Sequence, residues 1–122
     1  MGKFLSIILL IVPLAAFADH ADVIEVQLNQ GCSLAEYLKI KDDFNDQWGR
    51  KNGYRADVYV PIQSDNLVSL YWVGKSADAA AFGKAWDTWR NDLNKSGSVP
   101  AKLWARFQAC STNMSRNGYD VL

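Results

Sequence analysis

The sequence predicts an α+β domain in which a four-stranded antiparallel sheet carries two long helices on one face, with a short helix before the last strand. Three observations predict it. Residues 54–62 and 67–74 are two runs rich in β-branched and aromatic residues, separated by the polar turn formers Gln63, Ser64, Asp65 and Asn66, which is the pattern of a β-hairpin. Amphipathic helical patterns lie before and after that hairpin. Alternating segments suited to strands lie at the two ends.

Taken in order, residues 1–18 read as an export signal: Lys3, an apolar run over 4–14, then Ala16-Phe17-Ala18 before Asp19. The small-x-small pattern suits a signal peptidase. The apolar run over 4–18 is shorter than the roughly 18 residues a membrane span needs, so no membrane association is expected after cleavage. The expected product is one domain, residues 19–122, secreted or periplasmic. Loss of Lys3 leaves twelve basic and thirteen acidic side chains, a net charge of −1 with no long run of either sign. Nucleic-acid binding relies on clustered Lys and Arg and is not expected. Cys32 and Cys110 are an even pair without Cys-x-x-Cys spacing, and in an oxidising compartment they predict one structural disulfide.

Residues 22–29 alternate, with Ile24, Val26 and Leu28 on one face and Glu25 and Gln27 on the other, a half-buried strand. His20, the only histidine, is expected to be solvated in a frayed leader ahead of it. Ser33 and Glu36 have the spacing of a capping box, and Asn52-Gly53 is the expected stop of the helix that follows. Asp42, Asp43 and Asp46 are read as a solvated helix face, because no calcium-loop spacing surrounds them; no metal site is expected anywhere.

The hairpin supplies the middle two strands. Its first strand puts Ala56, Val58, Val60 and Ile62 on one face and Arg55, Asp57 and Tyr59 on the other; its second alternates Val68, Leu70 and Trp72 with Ser69, Tyr71 and Val73. A second helix, expected to be capped by Ser76, carries Phe82, Trp86, Trp89 and Leu93 on one stripe, read as core. Residues 103–108 suit a helix or a strand. If the last strand pairs antiparallel with the first, a disulfide to Cys32 requires Cys110 at or before that strand's start. A helix over 99–109 and a strand within 112–121 follow.

The element order is strand, helix, strand, strand, helix, short helix, strand, the ferredoxin-like or split βαβ arrangement. Over residues 22–121 it resembles the dimeric α+β barrel superfamily, which includes the antibiotic-biosynthesis monooxygenases and haem-degrading relatives. The resemblance is one of element order and size. It implies a homodimer in which two sheets meet through their open faces. Haem-degrading members use a helix histidine, absent here, so no cofactor is expected. Members that use Asn and Trp do not align with Asn29 or Trp72 clearly enough to carry those roles over.

The open face needs a function. Its candidate ligand-binding residues are Glu25, Gln27, Asp57, Tyr59 and Tyr71, together with Trp72, and Arg55 or Arg116 is the expected partner of the acidic pair Glu25 and Asp57. Three functions compete. One is a binding or accessory domain for a small apolar or aromatic ligand, because no nucleophile set or phosphate loop is present. Another is a cofactor-independent monooxygenase or isomerase, with Tyr59, Tyr71, Trp72 or Asp57 orienting the substrate. The last is a structural subunit joined through sheet edges. This architecture hosts many activities, so the choice among the three rests on the site.

Overall fold

The structure is a computed structural model that describes Gly2 and residues 18–122. The proposed signal over residues 1–18 therefore lies almost wholly outside the described residues. The elements run β1 (Asp19–Leu28), α1 (Leu34–Phe44), a π-helical turn (Asn45–Gly49), a 3-10 turn (Arg50–Asn52), β2 (Arg55–Tyr59), β3 (Leu70–Ser76), α2 (Ala79–Leu93), α3 (Val99–Cys110) and β4 (Ser111–Val121). The strands form one antiparallel sheet in the order β2-β3-β1-β4. The ferredoxin-like arrangement expected from the sequence is the one observed.

The sheet order corrects the placing of the hairpin. Its strands are the middle two only along the chain; in the sheet β2 is an edge, and β3 and β1 lie inside. Both hairpin strands are also displaced from the expected ranges, and the connection between them covers 60–69. Two local causes account for this. Pro61 has no N–H to give a ladder. The Asn66 side chain accepts the backbone N–H groups of Val68 and Ser69 at 2.9 and 3.2 Å, which folds the chain into a local turn where a strand was expected.

At the start of α1 the Ser33–Glu36 capping box forms, with Glu36 N–H donating to Ser33 Oγ at 3.1 Å and Ser33 N–H to Glu36 Oε2 at 2.8 Å. The helix does not run unbroken to Asn52. It widens into the π turn, and Phe44, Asn45, Trp48 and Gly49 all become buried. Asn45 then clamps the edge strand, donating to Ala56 O and accepting from Ala56 N–H, both at 2.9 Å. Gly53 ends the segment at φ 68°, the left-handed region that glycine takes without strain. The acidic trio is engaged locally: Asp42 with Lys41, Asp43 with Lys39 and Arg106, Asp46 with Arg50.

The cap of α2 is Asp78, whose Oδ1 accepts from Ala81 N–H at 2.7 Å. Ser76 was expected there, but β3 continues through it to pair with His20. His20 is likewise no solvated leader. It lies in β1 and stacks on Phe82, ring centroids 4.4 Å apart. α3 caps at Ser98, with Pro100 in its first turn, and reaches Cys110, which is bridged to Cys32 with Cα atoms 5.1 Å apart.

The core lies between the sheet and the helices. Val26, Tyr37, Ile40, Phe44, Leu70 and Leu103 are all buried there, and full burial of each large aliphatic side chain contributes about 1.5–3 kcal/mol.

Candidate functional site

The helix-facing side of the sheet carries Asp22, Ile24 and Val26 from β1, Leu70 and Trp72 from β3, and Asn113 and Arg116 from β4. One bulge opposite Glu25 and Val26 shifts the register of β4, so Asn113 and Arg116, three residues apart, emerge on the same face. Between this surface and the helices is a cavity of about 160 Å³. Its floor is Ile24, Val26 and Trp72; Phe44 and Trp48 close one side; Phe82, Ala85, Trp86 and Trp89 come from α2, and Trp104 and Phe107 from α3. Trp104, Asn113 and Arg116 are its more exposed members and form the rim.

A hydrogen-bonded chain stands in one wall. Asp22 is 2 % exposed. Its Oδ1 accepts from Arg116 Nε at 2.8 Å, and its Oδ2 accepts from Arg116 Nη2 at 2.6 Å and from the Tyr54 hydroxyl at 2.9 Å. The Tyr54 oxygen in turn accepts from Trp72 Nε1–H at 2.7 Å. A buried carboxylate is tolerable only when paired and fully hydrogen-bonded, and this one is both. Arg116 also lies over the Trp86 ring at 4.0 Å, and Arg90 approaches the same ring at 5.7 Å.

Room for this chain comes from Gly74. It sits opposite Asp22 in β1 and Ala56 in β2, and a Cβ there would stand 1.7 Å from the Tyr54 oxygen. The phenol occupies the space a side chain would need.

Burial pushes the Tyr54 phenol well above the ordinary tyrosine value, and the neighbouring Asp22 charge adds to the rise; burial alone does the same to Tyr37. Tyr54 is therefore a hydrogen-bond donor to Asp22 and stays protonated. The sign of the linkage follows. Raised folded-state values give stability that is complete below the unfolded tyrosine value of about 10 and drains away as pH rises above it toward the folded values. Urea unfolding at pH 11 is expected at a clearly lower midpoint than at pH 8, with Tyr37 and Tyr54 contributing no tyrosinate absorbance until the chain unfolds.

Of the six candidate ligand-binding residues named from the sequence, only Trp72 lines the cavity. Glu25, Gln27, Asp57, Tyr59 and Tyr71 lie on the opposite, open face. Glu25 is engaged there by Ser69 Oγ at 3.0 Å, Asn66 Nδ2 at 3.3 Å and Ser115 Oγ at 3.4 Å, while Gln27 Nε2 donates to Ser69 Oγ at 3.4 Å. Arg116, expected as a partner of Glu25 or Asp57, is on the other side of the sheet with Asp22, because the bulge fixes its orientation. Tyr59 is 51 % exposed, Tyr71 is half-buried and Val73 is buried. The short Val73 side chain sits on an inner strand between Val23 and Asp57, which fence it in. Sequence reasoning missed Asp22, Tyr54 and Arg116 as a unit, since the bonds joining them to Asp22 span 32 and 94 residues. The one local signal was Gly74 within a strand, which marks a close approach of another group.

No protein-family model and no curated protein matches the chain. Solved structures do match, and the likeness is to the ferredoxin-like arrangement described above. SnoaB, a cofactor-independent oxygenase from Streptomyces nogalater, aligns with a TM-score of 0.56 at 15 % identity, over 86 % of this chain and 94 % of its own. A single-residue mutant of SnoaB aligns with a TM-score of 0.57 at 16 % identity, over 85 % and 93 % of the two chains. A dimeric protein of unknown function from Bacteroides fragilis, also of ferredoxin-like fold, gives 0.48 at 7 % identity, over 84 % and 95 %. At these identities the likeness is one of fold.

Proposed function

We propose that this protein is an exported binding domain that takes a small aromatic molecule into the cavity between its sheet and helices. The observation that carries the reading is the cavity itself, about 160 Å³ and walled by Phe44, Trp48, Trp72, Phe82, Trp86 and Phe107. A dry apolar cavity of roughly 150 Å³ is enough for benzene. A ring that buries about 150 Å² there gains roughly 4 kcal/mol, which corresponds to a dissociation constant near 1 mM before any polar contact is added.

Binding is favoured over acid–base catalysis by the state of the polar wall. Asp22 already accepts three hydrogen bonds, and Tyr54 is held protonated. Neither is free to take a proton from a phenol or quinol bound in this cavity. We assign no reaction.

The test is titration of the mature, oxidised domain with indane, followed by tryptophan fluorescence. The wild-type protein is expected to give a saturable change. Ala85→Leu, which fills the cavity, is expected to lose it while still melting cooperatively. An equal response in that variant would put the ligand elsewhere and overturn the reading.

Export and self-association belong to the same proposal. Support for export is that β1 begins at Asp19, the first residue after the small-x-small site, and that the chain carries a disulfide. Support for a homodimer is the open sheet face, where Tyr59 on one edge strand and Tyr119 and Val121 on the other are about half exposed. Native mass spectrometry of protein from its own host is expected to show two chains, each starting at Asp19. A monomer, or a chain that keeps residues 1–18, would sink the corresponding part.

A further inference from the structure

The two edges of the sheet are finished differently. At β2, a strand of five residues, the backbone N–H and C=O of Ala56 are both taken by the Asn45 side chain at 2.9 Å, which closes the middle of that edge. β4 is eleven residues long, with β1 on one side and no strand on the other among the described residues. It contains neither Pro nor Lys, two residues that commonly blunt a bare edge. Residues 115–121 pair with β1 without a break, so a regular row of seven residues turns alternate N–H and C=O groups outward.

The cavity opens at this same edge. Its exposed lining residues are Trp104, Asn113 and Arg116, and two of the three belong to β4. Asn113 stands opposite Val26 and Arg116 opposite Ile24, both on the helix side of the sheet. A strand laid along β4 would therefore point every second side chain to the side on which the mouth lies.

We propose that β4 is a docking edge for an extended peptide, which adds a strand to the sheet and inserts one aromatic side chain between Asn113 and Arg116 into the cavity. This rests on the cavity reading above and gives the site a second class of ligand, a polypeptide that presents the ring. Main-chain bonds along the edge supply affinity and the cavity selects the side chain, the division of labour found in strand addition. A volume of about 160 Å³ takes one such ring. A second copy of this chain does not fit the role. The helix-side positions of its own β4 are Asn113, Arg116, Gly118 and Asp120, none of them aromatic, and Tyr119, opposite Ala21, points to the open face.

The test compares two blocked heptapeptides of alternating threonine and valine, one with phenylalanine and one with alanine in place of the central valine. Each is titrated into the mature oxidised domain and followed by tryptophan fluorescence. The phenylalanine peptide is expected to bind at least about tenfold more tightly, through the apolar area its ring buries. In Ala85→Leu, which fills the cavity, that preference is expected to vanish; its survival there, or equal binding of the two peptides by the wild-type chain, overturns the proposal. Amide hydrogen exchange on the wild-type chain needs no variant: exchange is expected to slow at alternate residues over 115–121 with the phenylalanine peptide and not with indane. A bound peptide that slows none of them lies elsewhere and overturns the docking edge. Protection that grows with protein concentration alone would give the edge to a second copy and overturn it too. Binding of indane without either peptide removes the docking edge and leaves the cavity reading intact, whereas failure of indane and both peptides removes both.

Discussion

A Gly74→Ala protein is expected to lose about 3 kcal/mol or more of stability and to melt at least about 10 °C lower, the largest effect of any single methyl group in this chain. The added carbon would fall 1.7 Å from the Tyr54 oxygen and 1.9 Å from the ring carbon that bears it. Backbone on both sides of Gly74 is fixed by pairing to Asp22 and Ala56, so the phenol must leave. Its departure strips one donor from the Asp22 carboxylate and the acceptor from Trp72 N–H. Each buried polar group left bare costs about 1–3 kcal/mol. Thermal denaturation followed by circular dichroism measures it. A change under about 1 kcal/mol would show that Tyr54 can swing aside at no cost, and the wall of the cavity would then be far softer than its hydrogen bonds imply.

Removing the Cys32–Cys110 bridge, by Cys32→Ala with Cys110→Ala, is expected to cost about 4 kcal/mol, because the bridge closes a loop across a sequence separation of 78 in the unfolded chain. For a domain whose whole stability is typically 5–15 kcal/mol, much of the fold depends on it. Urea unfolding of the oxidised and bridge-free proteins gives the difference directly. The same junction is also held without covalent help: Asn29 N–H donates to Cys110 O at 2.8 Å and Thr112 Oγ1 to Asn29 Oδ1 at 2.7 Å. A loss below about 1 kcal/mol would mean that these bonds already order the loop in the unfolded ensemble.

The end of the chain was legible because a covalent constraint could be turned into geometry. Placing Cys110 beside Cys32 sets the boundary between α3 and β4, and the observed change at Cys110–Ser111 falls within two residues of the expected one. The Ser33–Glu36 box and Gly53 were legible because caps are local chemistry. The hairpin was misjudged where local chemistry competed with itself: a run of Val, Ile and Leu favours strand, and Pro61 with the Asn66 side chain breaks it. The site was legible least. Trp86 reads as core from its spacing, yet it lines the cavity with Arg116 on its face. Its period says which way it points and not whether the space beyond is filled. Asp22, Tyr54 and Arg116 come from three different strands or strand ends, and only the completed sheet makes them neighbours. That the cavity opens beside the free edge of β4 is a property of the whole assembled fold, so no window of sequence contains it.

The pairing of β1 with β4 has a consequence for how the molecule comes into being. Asp19 stands opposite Val121, so β1 waits until the whole of β4 has been made before its second edge is covered. Contacts that join the two ends of a chain form slowly, because the loop between them must close before the pairing returns anything. Until then β1 presents one bare edge, and Arg116 has not yet arrived to neutralise Asp22. A nascent chain that lacks β4 is therefore expected to stay open and protease-sensitive, and the domain to close as a unit once β4 is free to pair.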